Sequence, residues 1–183
     1  MGDANLLSQE LKEKVIYNFR ANDIKNNGEG APLTPIYHKL LINKFKINNP
    51  TIILNIGGIS NYTYCFNDTL AAKDIGPGNV LMDVYLKKTK GIDYDKNGDI
   101  ASSGNINKDI INQFYEHEFY NVQQKNSFDR NEFDFSFVKG LGFEDAVATL
   151  TYFTALVISQ NIKKNFNNEI EIILCGGGRK NFT

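Results

Sequence analysis

Three short stretches of this 183-residue sequence carry residue types that could bind a phosphate and move a proton. They read NIGGISN at 55–61, DIGPGN at 74–79 and CGGG at 175–178. Each combines glycines, which let backbone N–H groups approach an anion closely, with side chains that exchange hydrogen bonds. No stretch is specific alone, but their order along the chain favours a site for phosphoryl transfer.

The DIGPGN stretch predicts a carboxylate at the mouth of a strand, directly before a helix. The free N–H groups and dipole of a helix beginning at Asn79 favour a phosphate, which Gly76 and Gly78 allow to come close. Asp74 would then face that phosphate and take a proton from an attacking hydroxyl or water. A bound Mg²⁺ would offset part of its charge. A solvated acid before a Pro-Gly turn is the structural alternative.

The two glycine stretches also have structural alternatives. Gly57 and Gly58 fit a tight hairpin turn, or a phosphate cradle to which Ser60 and Asn61 add side-chain donors. The three glycines at 176–178 carry an entropic cost at a strand end, which favours a place where backbone passes close to a ligand. A plain loop is the other interpretation.

Two further patterns contain residue types that can bind a metal. DYDKNGDIASSG, at 93–104, resembles a calcium loop, but Gly104 stands where the loop needs a bidentate Glu. A capped Asn-Gly turn is therefore the preferred interpretation. His38 and His117 are far apart in sequence with no cysteine cluster between them, so we predict no metal bound directly by the protein.

Hydrophobic periodicity predicts the elements that position these stretches. TIILNI, YTYCF and LAAKDI are expected to form three consecutive strands, and the short turns between them imply antiparallel neighbours. Helices are expected from Asn79, over roughly 107–119 and over roughly 144–164, followed by a strand in EIEIILC. This order predicts an α/β fold, a mixed sheet with helices on its faces. It is also the order of the ribonuclease H-like, actin-like ATPase architecture.

The residues ahead of the first strand follow a different pattern. Asn5 or Ser8 is expected to cap a helix that runs to about Asn18. A loop rich in Asn, Gly and Pro follows at 19–35, and Pro35 begins another helix.

We place a lobe boundary at Asn49–Pro50, which gives one domain over 1–49 and a second over 50–183. Arg20 and Asp23 lie on the loop of the first domain. They form either a surface ion pair or a substrate clamp that reaches into a cleft between the lobes.

Composition narrows the function classes. A formal net charge of −1 gives no electrostatic footprint for nucleic acid or an acidic membrane. Cys65 and Cys175 lie inside apolar runs and are expected to be buried free thiols of a reducing compartment. No signal peptide is recognised, and the most apolar segment, DAVATLTYFTALVISQNI, predicts a buried helix instead of a membrane span. We therefore expect a cytoplasmic protein.

The sequence resembles the anhydro-N-acetylmuramic acid kinase family, sugar kinases of the actin-like ATPase superfamily. The resemblance extends through nearly the whole chain. It is carried by GDANLL, FRANDIKNNGEGAPLTPIYH, LNIGGISNYTY, DIGPGN, YDKNGDIASSG, EDAVATLT and CGGGRKN.

The resemblance implies a phosphotransferase with an alcohol group as acceptor. ATP would phosphorylate O6 of 1,6-anhydro-N-acetylmuramic acid while water opens the anhydro bridge, in the recycling of peptidoglycan sugars. Asp74 matches the family's catalytic base, and Arg20 looks like its substrate-contacting arginine, with Asp23 beside it. The phosphate-binding residues implied are Gly57, Gly58, Ser60, Asn61, Gly76, Gly78 and Asn79. The adenosine-side residues implied are Gly176, Gly177 and Gly178. ATP and Mg²⁺ are the expected cofactors, and a homodimer is left open.

The sequence departs from the family pattern at several positions. The family's DFR segment reads NFR here, with Asn18 in place of the acid. Ile75 replaces the threonine of the usual DTGPGN, which removes a hydroxyl donor beside Asp74. The stretch NSFDRNEF matches only loosely, since Asp129 stands where the family has a glycine.

The family's Gly-Thr-Ser-Asp-Gly phosphate motif does not occur in these residues. The resemblance therefore implies roughly the middle half of a two-lobe kinase, a truncated and inactive fragment until it is completed. A non-catalytic nucleotide- or sugar-binding module of the same superfamily is the alternative function.

Overall fold

The structure is a computed structural model that describes residues 2–28, 30–114 and 134–183. It divides into two compact units, Met1–Leu33 and Thr34–Thr183. The lobe boundary that we place after residue 49 falls inside the second unit, because the helix before it packs on the sheet. For the arrangement of lobes in a longer chain, that boundary stays a prediction.

The first unit contains two short helices, α1 (Ala4–Leu11) and α2 (Ala21–Lys25). The carboxylate of Asp3 caps α1, because it accepts hydrogen bonds from the N–H groups of Asn5 and Leu6 at 2.9 and 3.1 Å. The prediction of a cap at Asn5 or Ser8 was therefore wrong, and the helix ends seven residues before Asn18, where Lys12 turns left-handed. The predicted loop over 19–35 also contains α2.

The second unit is built on a four-stranded sheet with the order β3-β2-β1-β4. The strands are β1 (Thr51–Ile56), β2 (Ile59–Phe66), β3 (Thr69–Pro77) and β4 (Glu171–Cys175). The first three pair antiparallel and β4 pairs parallel to β1. The mixed α/β sheet predicted from the sequence is confirmed. The turn predicted over GGISN is confined to Gly57 and Gly58, since β2 already begins at the next residue.

A β-bulge interrupts the pairing of β2 and β3 beside the predicted site. Ser60 lies opposite Gly76, whereas Asn61 lies opposite Asp74, so Ile75 is the extra residue on β3. Bulges re-aim side chains and end regular pairing, and here the bulge directly follows the predicted catalytic acid.

Helices cover both faces of the sheet. These helices are α3 (Pro35–Lys44), α4 (Val80–Lys90), α5 (Lys108–Phe114) and α6 (Phe143–Asn165). On one face, Ile158 of α6 packs against Ile52 and Leu54 of β1. On the other face, Ile42 of α3 packs against Ile53 and Cys65.

A further core joins α4, α5 and α6 around the fully buried Phe153. The predicted helix over 107–119 corresponds to α5 within the described residues. The remainder of that helix, His117 and the NSFDRNEF stretch lie outside them. None of the described helices, including the 23-residue α6, combines the length and the apolar character needed to cross a membrane.

Candidate functional site

The glycine hairpin between β1 and β2 is docked on the start of α4. The N–H groups of Gly78 and Val80 donate to the carbonyl of Gly58 at 2.9 and 3.1 Å. The N–H of Asn79 donates to the carbonyl of Gly57 at 2.7 Å. These three donors, which the sequence assigned to a phosphate, are therefore already used within the protein in this arrangement. The hairpin and the helix start form one structural unit.

Gly78 allows this close approach. A Cβ atom built on it would lie 2.2 Å from the carbonyl oxygen of Gly57, which no side chain can tolerate. Two hydroxyls stabilise the same turn. Ser60 donates to the carbonyl of Pro77, and Thr154 of α6 donates to the carbonyl of Gly78, both at 3.1 Å. Ser60 is fully buried, so its predicted contact with a phosphate would require this turn to rearrange.

The CGGG stretch lies beside the hairpin, at the end of β4. Gly176 has a φ of +84°, and a Cβ atom built on it would lie 2.5 Å from the carbonyl oxygen of Ile56. The side-chain amide of Asn79 contacts this carbonyl, at 3.5 Å, and would lie 3.6 Å from a Cβ on Gly177. The three stretches that the sequence analysis singled out are thus brought together at one end of the sheet.

A cavity of about 510 Å³ opens beside them. Its volume is in the range usual for small-molecule sites. It is lined by Asn79, Met82 and Asp83 of the α4 region, by residues 93–97, and by Gly177, Gly178, Lys180 and Asn181.

The loop that imitates calcium coordination forms one wall of this cavity. Asp95 accepts hydrogen bonds from the N–H groups of Ile100 and Ala101, at 2.9 and 3.0 Å, and Asn97 adopts a left-handed φ of 59°. The structure therefore supports the interpretation as a capped Asn-Gly turn. Residues 182–183 hold the turn in place, through bonds of 3.0 Å to the carbonyl of Asn97 and 2.9 Å to that of Gly98.

Asp74 belongs to a row of polar side chains that crosses the sheet. It pairs with Asn61 of β2, which pairs with Asn55 of β1, which in turn pairs with Cys175 of β4. Directly paired residues share a face of the sheet, and neighbouring strands are about 4.8 Å apart. Asp74 is half-buried, and roughly 14 Å of sheet separates it from the CGGG loop.

Ile75 points away from this row. Its side chain is 1% exposed and packs in the core with Ile52, Leu54 and Tyr62. A threonine at this position would place its hydroxyl in the same apolar cluster. The absence of this hydroxyl therefore removes no hydrogen-bonding group from the polar row.

Arg20 and Asp23, the predicted substrate clamp, both contact Gly30 within the first unit. The guanidinium of Arg20 donates to the Gly30 carbonyl, and the carboxylate of Asp23 accepts from the Gly30 N–H at 2.7 Å. Gly30 has a φ of +69°, so the two side chains fix a turn that favours glycine. Contact with substrate stays a prediction.

The histidine and the cysteines have structural partners. His38 Nδ1 lies 2.8 Å from the hydroxyl of Thr63, and burial lowers the pKa of this imidazole. Cys65 and Cys175 are free thiols, as expected, but only Cys65 is buried, whereas Cys175 is half-buried. Burial raises the pKa of both thiols. In the part of the chain that the structure describes, no three His, Cys, Asp or Glu side chains gather as a metal site.

Sequence reasoning missed two groups that line the cavity. Asp83, one turn into α4, and Lys180 with Asn181, after the glycines, all border it. The helical period after Asn79 could have placed Asp83 on the face of Asn79, because residues four apart share a face. Residues 93–97 were singled out only for their likeness to a calcium loop, and their place in the cavity wall depends on tertiary packing.

A mixed α/β sheet with glycine loops gathered at one end, beside a cavity, is an architecture compatible with a kinase. Comparison with known proteins narrows this class, because the family model described as anhydro-N-acetylmuramic acid kinase matches residues 1–183. The chain belongs to the anhydro-N-acetylmuramic acid kinase family.

Its relatives carry the same name. The anhydro-N-acetylmuramic acid kinase of Pelagibacter ubique is 49% identical across this whole chain, which covers 51% of that relative. Those of Zymomonas mobilis and Nitrobacter winogradskyi are 38% and 36% identical over 100% and 99% of the chain, and 50% of each relative is covered. The chain thus spans about half the length of the curated relatives it matches.

Proposed function

We propose that the protein carrying this chain is a kinase that transfers the γ-phosphoryl group of ATP to O6 of 1,6-anhydro-N-acetylmuramic acid. Water adds at C1, the C1–O6 bond of the anhydro bridge breaks, and the products are N-acetylmuramic acid 6-phosphate and ADP. The observation that carries the proposal is the gathering of NIGGISN, DIGPGN and CGGG at one end of the sheet in a member of this family, beside a cavity that Asn79, Gly177 and Gly178 line.

Asp74 acts as the general base in this proposal. Its carboxylate accepts the proton of the attacking water, and the half-buried position at the bulge orients it. Arg20 and Asp23 are assigned to the sugar. Because the phosphoryl group carries most of the negative charge, the remaining task of the protein is to position the reactants and stabilise that charge.

The residues present fit a nucleotide with its Mg²⁺. Gly177 and Gly178 offer backbone without Cβ atoms at the cavity, and Lys180 adds a cationic side chain there. Asp83 is the carboxylate that α4 presents to the cavity and suits a hard cation. Mg²⁺ bound to the nucleotide would neutralise charge on the phosphate oxygens.

The wider setting follows from the family. We infer a ribonuclease H-like, actin-like ATPase fold, in which residues 50–183 form most of the second lobe. We also place the protein in the cytoplasm, in peptidoglycan recycling, with no nucleic acid or membrane as partner. A homodimer stays a prediction that light scattering after size-exclusion chromatography would test.

The proposal is tested with Asp74→Asn in a chain completed to the length of the relatives. The variant keeps the shape of the side chain but cannot accept the proton, so kcat should fall by about a hundredfold or more. Asp68→Asn, in the exposed β2–β3 turn of the same strand pair, is the matched control and should leave kcat unchanged. A loss of less than about tenfold for Asp74→Asn would show that Asp74 is not the base.

The second candidate is a nucleotide- or sugar-binding module without catalysis, which the internal use of the three N–H donors of residues 78–80 favours. Calorimetry on the 183-residue chain separates the two. Binding of ATP-Mg without turnover, in both the short and the completed chain, would favour the module.

A further inference from the structure

Asn55 lies beside both glycine loops. It is on the central strand β1, two residues before Gly57 of the hairpin. Its direct partner on β4 is Cys175, the residue before Gly176. The hairpin and the CGGG loop therefore leave the sheet on either side of this one side chain.

The carboxamide of Asn55 contacts both loops. A Cβ atom built on Gly57 would lie 3.4 Å from Nδ2 of Asn55, and one built on Gly176 would lie 2.6 Å from Oδ1. Oδ1 also accepts a hydrogen bond from the thiol of Cys175, with Sγ at 3.8 Å. The amide thus fills the space between the hairpin and the loop.

We propose that Asn55 is a positioning residue that sets the spacing between the phosphate hairpin and the adenosine-side loop, and so the affinity for ATP. This inference rests on the proposed function, because it concerns the nucleotide of that reaction. A carboxamide suits the position since it has a donor end and an acceptor end and carries no charge. Aspartate would add a negative charge close to the phosphates, and alanine would leave the two loops without their common support.

The first test compares Asn55→Ala and Asn55→Asp in the completed chain. For Asn55→Ala, KM for ATP should rise by about three- to tenfold, as expected for the loss of one hydrogen bond, while KM for the sugar stays unchanged. Asn55→Asp should raise KM for ATP further because of charge repulsion. Asn165→Ala, an exposed asparagine at the end of α6, is the matched control and should change neither constant.

The second test needs no kinase activity and uses the thiol as a reporter. Iodoacetamide labelling of Cys175 is measured by peptide mass spectrometry relative to Cys65, which is buried on the same face of the sheet. Asn55→Ala should raise this ratio by about threefold or more, because the carboxamide that holds the thiol is gone. In the wild type, ATP-Mg should lower the labelling of Cys175 relative to Cys65.

Two results would overturn the proposal. One is an unchanged labelling ratio together with a KM for ATP within about twofold of the wild type in both variants. The other is a parallel rise of both KM values with a fall in melting temperature, which would indicate a merely structural role. If the completed wild type lacks kinase activity, the proposed function fails, and the labelling ratio still decides the role of Asn55.

Discussion

At the scale of single residues, Ile75 separates two roles that the sequence places side by side. Asp74 remains in the polar row of the sheet, whereas the side chain of Ile75 enters the core. The alternation of side chains along β3 makes this division, because successive residues of a strand point to opposite faces of the sheet. The sequence pattern suggested that Ile75 removes a hydroxyl donor from the site. In the structure, the side chain of Ile75 instead contributes to the core and therefore to stability.

Ile75→Thr should therefore destabilise the protein without improving the site. The substitution buries a hydroxyl in an apolar cluster and removes packing, so the free energy of unfolding should fall by about 1–3 kcal/mol. Urea denaturation measures this change. Ala71→Thr, at an exposed position of the same strand, is the control and should stay within about 0.5 kcal/mol of the wild type. Equal stability of the two variants would contradict the placement of Ile75 in the core.

At the scale of elements, the hairpin and the start of α4 form one unit because the carbonyls of Gly57 and Gly58 accept hydrogen bonds from the three N–H groups of residues 78–80. Strands and helices followed from hydrophobic periodicity, and β1 was predicted residue by residue. The docking of the turn on the hairpin was not predictable, since it depends on the distance between two segments about twenty residues apart. The N-cap of α1 was not predictable either. Asp3, Asn5 and Ser8 are all suitable capping residues, and the local sequence does not show that Asp3 is the one used.

Gly78→Ala tests this docking. The new Cβ would collide with the Gly57 carbonyl, so the hairpin and α4 must separate, and stability should fall by about 1–3 kcal/mol as for other overpacked sites. Gly177→Ala is the comparison, because its Cβ would meet its nearest atom at an ordinary 3.6 Å. Thermal unfolding of both variants gives the measurement. A Gly78→Ala variant as stable as Gly177→Ala would show that the close approach is absent.

At the scale of the whole molecule, the sheet has a partly bare surface. Residues 172–174 of β4 are 38–51% exposed although all three are large and apolar. In the first unit, Phe19, Ile24 and Leu33 border an apolar cavity and are more than half exposed. Family membership could be predicted from the motifs, because each motif is contiguous in sequence. The polar row could not, because it needs the register of four strands and the position of one bulge.

Stability of the second unit should decrease in mild acid because of His38. Burial lowers its pKa below the ordinary value of 6.5, so as pH falls through 6.5 the unfolded chain takes up a proton before the folded one does. The melting temperature should therefore fall between pH 7 and pH 5. His38→Gln, which can keep a hydrogen bond to Thr63 but does not titrate, should show a smaller fall. An identical pH profile for both proteins would contradict this assignment.

The polar row has a consequence for how the chemistry of this family can vary. The separation between Asp74 on β3 and the loop after β4 is set by the number of strands between them, so the backbone fixes this distance. Substituting side chains along the polar row changes the chemical groups that it presents, but leaves the distances between their backbone positions unchanged. Only the insertion or deletion of a residue, such as deletion of the extra residue on β3, would move Asp74 relative to the loop after β4.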